Sequence, residues 1–414
     1  MVSRLFASYP RELWILALGA IINVTGASFI WPLNNIYITT ILDKPATIAG
    51  LVLMLHAGTG IIGSMVGGYL HDKVGGVKTI LTGGIISTAC VFSLAFFRDW
   101  YFYVFIMGVL GFGNALVLPV LNAMAGTIWP KGGRRAFNLV YLSQNLGVAV
   151  GSALGGLVAG VSFQLVFIVN GITNLIFLAI ILIGLRNKMK RPSVENTSEP
   201  KTKQYDDVHV KVRGPSIWQS PYGISLMILC LGFAITWIPY AQWSTNFSSY
   251  MTDLGFKLSQ YSLLWTINGA LIILAQPLCS LLTQRVLKGL RSQMLTGLLI
   301  FAAGFGVLTI NQSYMFFVIG MMIVTFGEML LWPAIPAAAA ELSTPGKEGF
   351  FQGAISGSAT AGRMFGPVIG GFLYENFSPI IMIYAMVAIC LIPMICYMVY
   401  DRPVYSKVQE TLHR

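Results

Sequence analysis

The chain has 414 residues, 56% of them hydrophobic and 10% charged, with 26 Lys and Arg against 15 Asp and Glu for a net charge of +11. Soluble domains carry about 25% charged residues, so most of this chain is built to sit in lipid and a soluble enzyme is excluded. The basic surplus is parcelled into the termini and alternate loops, through Arg4, Arg11, Lys73, Lys78, Lys131, Arg134, Arg135, Arg285, Lys288, Arg291, Lys347, Arg402 and Lys407. The opposite loops hold only Lys44, Arg98 and Lys257, so the charge is a topology signal and no nucleic-acid partner is expected. By the positive-inside rule and an even number of spans, both termini lie in the cytoplasm of a multi-pass protein of the cell membrane. Arg4 and Arg11 precede an apolar stretch too long for a cleavable signal core.

Twelve apolar spans are predicted, over 12–36, 46–70, 77–97, 100–128, 136–161, 164–185, 222–250, 258–284, 292–311, 313–340, 349–374 and 378–400, each long enough to cross a bilayer. The first contains Asn23, Trp31, Pro32, Asn34 and Asn35. The second carries His56 at mid-span, where a neutral, hydrogen-bonded ring is the ordinary state and a proton carrier the alternative. The loop after it reads Gly68-Tyr-Leu-His-Asp72-Lys73-Val-Gly75-Gly-Val-Lys78. In the fourth span Asn114 is polar and Pro119 breaks the helix; Met107 precedes Gly111 by four residues. The fifth carries a glycine ladder, Gly147, Gly151, Gly155 and Gly156.

The stretch 187–220, rich in Lys, Glu and Asp with few large apolar residues, is predicted to be a flexible cytoplasmic linker dividing the spans six and six. The seventh span carries Trp237, Pro239, Tyr240, Gln242 and Trp243, the eighth Trp265 and Pro277. The tenth holds Glu328, the only acid deep in a span, followed by Trp332, Pro333 and Pro336. A charge at mid-bilayer costs about 2.5–3.5 kcal/mol, so Glu328 must face a cavity or a partner. It carries a proton or contacts substrate; the alternative is a neutral structural carboxyl. The eleventh span repeats the ladder as Gly362, Gly366, Pro367, Gly370 and Gly371, 215 residues after the first, with Arg363 beside it. Arg363 is expected to pair with Glu328, or else to meet an anionic substrate.

The repeated ladder, with Pro130 echoed by Pro345, implies two copies of one unit end to end. A membrane bundle built twice is the plan of a secondary transporter with its site between the halves. The expected fold is all-α, twelve transmembrane helices as two pseudo-symmetric six-helix bundles: 1–186, then the linker 187–220, 221–400, and a cytoplasmic tail at 401–414. Glycines at every fourth position let two backbones approach, and the ladders are expected to seal the contact between halves.

The loop from Gly68 to Lys78 resembles the signature of the major facilitator superfamily, G-x-L-x-D-R-x-G-R-K, with Lys73 in place of Arg and Gly76 and Val77 where basic residues are common. The ladders resemble the G-x-x-x-G-P-x-x-G-G motif of its drug:proton antiporters; the second matches fully and the first has Ser152 for proline. Met107 stands where those antiporters place a coupling arginine. The resemblance implies that Gly68, Asp72, Lys73, Gly75 and the ladders act in gating and that Glu328 acts in proton coupling; Arg363 and His56 are the further candidates for that coupling by their depth in the spans and their chemistry. It also implies a cavity lined by the first, fourth, seventh and tenth spans, with Asn23, Trp31, Asn34, Asn35, Asn114, Trp237, Tyr240, Gln242, Trp243 and Trp332 as its polar and aromatic wall. Interfacial or lipid-facing packing is the alternative for each aromatic.

The expected function is proton-driven export of lipophilic or drug-like small molecules by a monomer, with transport of a defined metabolite, sugar or lipid-linked glycan as the alternative. Cys90, Cys230, Cys279, Cys390 and Cys396 have no metal or redox spacing. No cofactor or metal is expected, and Gly346-Lys347 is followed by Glu348, not the Ser or Thr of a phosphate loop.

Overall fold

A computed structural model of the chain describes residues 9–30, 34, 37–186 and 220–404. Among these residues it is helical without strands. The helices are α1 (Arg11–Ile30), α2 (Ala46–Val74), α3 (Gly76–Phe96), α4 (Trp100–Ala115), α5 (Val117–Ile128), α6 (Arg134–Val161), α7 (Phe163–Gly184) and, after the linker, α8 (Pro221–Gln242). They continue with α9 (Asn246–Asp253), α10 (Leu258–Leu274), α11 (Gln276–Arg285), α12 (Leu290–Val307), α13 (Tyr314–Leu342), α14 (Glu348–Asn376) and α15 (Pro379–Val399). The linker expected at 187–220, Ser220 apart, and the tail beyond Val404 lie outside the described residues.

Three spans are each built of two helices. The fourth breaks at Leu116 between α4 and α5, where Pro119 leaves a carbonyl one turn earlier without its donor. The seventh runs through Pro239 and breaks at Trp243–Thr245, and the eighth bends by 53° at Ala275, just before Pro277. The tenth passes Pro333 and Pro336 as one helix. Nine helical segments among the described residues are long and apolar enough to cross a membrane, and the bent eighth span makes ten. The remaining two spans are α6 and α14, whose glycine, serine and amide content lowers their hydropathy. Together they complete twelve.

The spans form two six-helix bundles. The first encloses clusters around Leu16, Ile80, Val120 and Phe177 and around Phe29, Val91, Tyr103 and Phe167. The second encloses a larger, aromatic core with Trp243, Phe247, Phe301, Phe305 and Phe317. A small cluster, Tyr141 with Ile272, Ala275, Cys279, Met329 and Leu330, bridges them.

The ladders lie elsewhere than expected: each packs inside its own half. A methyl added at Gly147 would stand 2.7 Å from the Ile21 carbonyl oxygen and one at Gly151 2.7 Å from Ser28 Cβ, both on α1. On α14, one at Gly362 would stand 2.5 Å from Trp237 Cβ and one at Gly366 2.9 Å from Ala241 Cβ, on α8. Gly370 faces Gln242 and Asn246, and the Asn246 amide donates to the Pro367 carbonyl at 3.3 Å. Gly155, Gly156 and Gly371 continue the same helices.

The glycine contact between halves belongs to a second series on α14, Gly349, Gly353 and Gly357. Gly353 precedes Gly362 by nine residues, two and a half helical turns, so the two series occupy opposite faces of one helix.

Candidate functional site

The seam between α2 and α14 opens along its length. At the end of the bundle bearing the basic loops, Gly68 and Gly349 are in backbone contact. A methyl at Gly353 would lie 2.5 Å from the Ser64 carbonyl oxygen, one at Gly357 3.5 Å from that of Ile61, and one at Gly60 3.8 Å from Thr360 Cγ2. Nothing lies within 4 Å of one at Gly58 or Gly50. The two helices diverge like an opened pair of tongs, closed at the basic end.

Asp72 holds that closed end. Its two carboxylate oxygens accept from the backbone N–H groups of Gly349 at 2.7 Å and Phe350 at 2.8 Å. These are orphan donors in the first turn of α14, where the helix dipole also favours an anion. Lys73 stacks over the Tyr69 ring at 5.8 Å, and Gly75 ends α2 at φ +96°.

A second cross-half contact runs down one face of α6. Arg134 donates to the Met329 carbonyl at 2.7 Å, and the Tyr141 hydroxyl donates to Glu328 Oε1 at 3.0 Å. Arg134, Asn138, Tyr141 and Asn145 are spaced four, three and four residues apart, so they share one stripe of the helix.

Glu328 is 2% exposed and lies where this stripe meets α8, α10 and α13. Its Oε2 accepts from the Tyr240 hydroxyl at 3.0 Å and from Asn268 Nδ2 at 2.9 Å, and Asn268 also donates to Thr325. Three donors thus surround the carboxylate, one from the first half and two from the second.

Arg363 is not its partner, contrary to expectation. The guanidinium bonds Thr360 Oγ1 on its own helix at 3.2 Å and lies over the Trp237 ring at 4.8 Å. Among the described residues the ion pair is Arg291–Asp401, near the basic end. Glu328 and Arg363 are instead joined through rings: Trp237 meets Trp332 at 4.9 Å, and Trp332 meets Tyr240 at 5.1 Å. Phe233 and Phe301 close the cluster around Trp332. His56 Nδ1 lies 3.0 Å from the Met107 carbonyl. A carbonyl only accepts, so Nδ1 carries a hydrogen there.

Of the expected cavity wall, Trp237, Tyr240 and Trp332 come together in this cluster. Gln242 and Trp243 do not reach it. Gln242 is fully buried, donating to the Ile238 and Gly366 carbonyls at 2.8 Å each, where it mends the broken end of α8. Trp243 is fully buried against Phe247 and Phe305. Asn23 pairs with Asn174, and Asn34 accepts from Tyr103, so both are tied into the first bundle. Asn114 is half-buried at the end of α4; Trp31 and Asn35 lie outside the described residues. Sequence reasoning passed over Arg134, Tyr141 and Asn268 as site residues; the four-three-four polar stripe of α6 was the available signal.

Residues 16–249 and 240–413 match the Major Facilitator Superfamily. The chain is 44% identical over 397 residues to the uncharacterized MFS-type transporter YttB of Bacillus subtilis (strain 168), covering 96% of this chain and 97% of that protein. It is 22% identical over 373 residues to the multidrug resistance protein MdtH of Aeromonas hydrophila, covering 87% of each. The crystal structure of the human organic anion transporter MFSD10 (TETRAN) has the same fold, with a TM-score of 0.74, 13% identity, and coverage of 94% of this chain and 100% of that one. The chain belongs to the Major Facilitator Superfamily and is a multi-pass membrane transporter.

Proposed function

We propose that this protein is a proton-coupled exporter of lipophilic compounds that works by alternating access as a monomer in the cell membrane. Its units are a bundle at 1–186, a linker at 187–220, a bundle at 221–400 and a tail at 401–414, with the basic end and both termini cytoplasmic. In that orientation the described conformation is closed to the cytoplasm and faces outward.

The observation that carries this reading is the placement of Glu328. An ionised carboxylate is an acceptor only and takes all three donors; a protonated one must donate its own hydrogen and gives up an acceptor position. The Tyr141 bond is the one that spans the halves, so proton uptake weakens the closed contact as well as discharging a buried group. A ligand or proton shifts a two-state equilibrium only by its differential interaction with the two states, and this bond supplies such a difference. One proton moving inward across about 100 mV supplies roughly 2.3 kcal/mol, enough for an approximately fifty-fold gradient. The multidrug resistance protein MdtH, a relative over most of this chain, supports export of drug-like compounds.

The test is uphill transport in energised proteoliposomes. Glu328→Gln keeps the shape and, like the protonated acid, offers fewer acceptor positions, but it cannot exchange a proton, so accumulation driven by a pH gradient is expected to vanish while downhill exchange persists. Undiminished accumulation by this variant contradicts the reading. One observation favours the second reading, a carrier of a defined metabolite: Arg363 sits at mid-span and, among the described residues, no carboxylate is bound to it.

A further inference from the structure

We infer that the hollow between the halves binds amphiphilic organic anions, with the Arg363 guanidinium taking the anionic head and the Trp237–Trp332 face taking the apolar body. The inference rests on the transporter reading above and narrows its cargo.

Arg363 lies fifteen residues into the 29-residue helix α14, about 22 Å from its start at 1.5 Å per residue, and so close to mid-membrane. A cation exposed to hydrocarbon at that depth is costly, so an exposed one faces water. Arg363 is exposed, and its neighbours show which way it points. The guanidinium lies over Trp237 of α8 and donates to Thr360, whose methyl faces Gly60 of α2 across the widening seam. Successive steps of that seam pair Gly68 with Gly349, Ser64 with Gly353 and Ile61 with Gly357. One turn beyond Gly60 and Thr360, the same register sets His56 opposite Arg363. Arg363 therefore projects into the space between the halves, where the seam has already opened.

Among the described residues no carboxylate pairs with this charge. Glu328, the acid within the neighbouring span, is engaged by Tyr141, Tyr240 and Asn268 on the far side of the aromatic cluster. The His56 Nδ1 hydrogen is committed to the Met107 carbonyl and adds no negative charge. A guanidinium has five donors in a planar fork, and Thr360 occupies one, leaving an edge that matches a carboxylate or sulfonate in two-point geometry. Trp237 and Trp332, both half-buried with rings 4.9 Å apart, supply an apolar surface beside that edge. Such a surface favours offset stacking with an aromatic body. Gly362 makes the stack possible, because a methyl there would stand 2.5 Å from Trp237 Cβ and displace the ring beneath the guanidinium. A lipophilic cation would find the aromatic face already occupied by a cation, and like charges set side by side oppose binding.

The experiment uses the full chain purified into lipid nanodiscs and three probes with one ring system: 1-naphthoate, 1-naphthalenemethanol and 1-naphthylmethylammonium. Calorimetric titration is expected to rank naphthoate at least tenfold tighter than the ammonium probe, with the alcohol between them. Arg363→Gln is expected to bring naphthoate down to the affinity of the alcohol while leaving the alcohol within twofold of its native value, and Arg363→Lys to restore part of the preference. Equal or tighter binding of the ammonium probe overturns the inference, as does no measurable binding of any probe. Retained naphthoate affinity in Arg363→Gln overturns it too. Should that variant fail to fold, the ranking on the native protein decides alone. Efflux of the ammonium probe from energised proteoliposomes together with a lost anion preference would sink the anion site and leave the exporter standing. Naphthoate binding without transport of any probe would do the reverse.

Discussion

At the scale of single residues, two carboxylates divide the work of holding the closed end. Asp72 satisfies two backbone donors of α14, and Glu328 gathers side chains from both halves. Hydrogen bonds to charged groups contribute about 1.5–3 kcal/mol each, so either is strong enough to bias a two-state equilibrium by tenfold or more. Asp72→Ala and Tyr141→Phe are each expected to shift the protein toward the state open at the basic end. Pulsed electron–electron distances between spin labels on the two halves at that end check this; an unchanged distance distribution in both variants contradicts it. Glu328 and Asp72 were legible in the sequence because a charge within or at the edge of a span is expensive and demands a partner. Their partners were not. Tyr141 and Asn268 are uncharged residues that spans tolerate freely, and they stand 187 and 60 positions from Glu328. Arg363 and Glu328 share a depth but not a contact: Arg363 lies over Trp237, whereas Glu328 is bound by Tyr240, Tyr141 and Asn268.

At the scale of elements, α14 is a helix with two glycine faces and two duties. One face, Gly362, Gly366 and Gly370, is fixed to α8 within its bundle; the other, Gly349, Gly353 and Gly357, meets α2 across the halves. Substitutions on the two faces therefore have different signatures. Gly353→Ala is expected to hold the seam open, since its methyl would stand 2.5 Å from a backbone oxygen, whereas Gly357→Ala, with 3.5 Å of clearance, is expected to close normally. Gly151→Ala is expected to lower the melting temperature through overpacking of α6 on α1, at about 1–3 kcal/mol, without shifting the gate. Melting curves and the same distance measurements separate these outcomes. Equal effects of Gly353→Ala and Gly357→Ala on the gate would contradict the graded seam. The four-residue period was plain in the sequence, and it fixes a face but not the helix that meets it. That ambiguity explains why the ladders were expected between halves.

At the scale of the whole molecule, the doubled plan is visible in the amino-acid sequence itself. Ten spans stand out by hydropathy, and the two that do not, α6 and α14, are marked by the ladders themselves. What the pattern leaves silent is the relative tilt of the bundles. That tilt is set by a few long-range contacts running from the basic end toward mid-span: Asp72 with α14, Arg134 with Met329, Tyr141 with Glu328. It creates the space that Arg363 enters.

The central claim is that transport requires this basic-end contact to break and re-form. Gly126 of α5 and Ala340 of α13 face each other there, with a β-carbon built on Gly126 lying 3.9 Å from Ala340 Cβ, within the span of a disulfide. Flux through the Gly126→Cys/Ala340→Cys variant in proteoliposomes, measured oxidised and again after reduction, is the most direct test. The expected result is loss of transport on oxidation and recovery on reduction; full flux through the cross-linked protein would contradict alternating access in this chain.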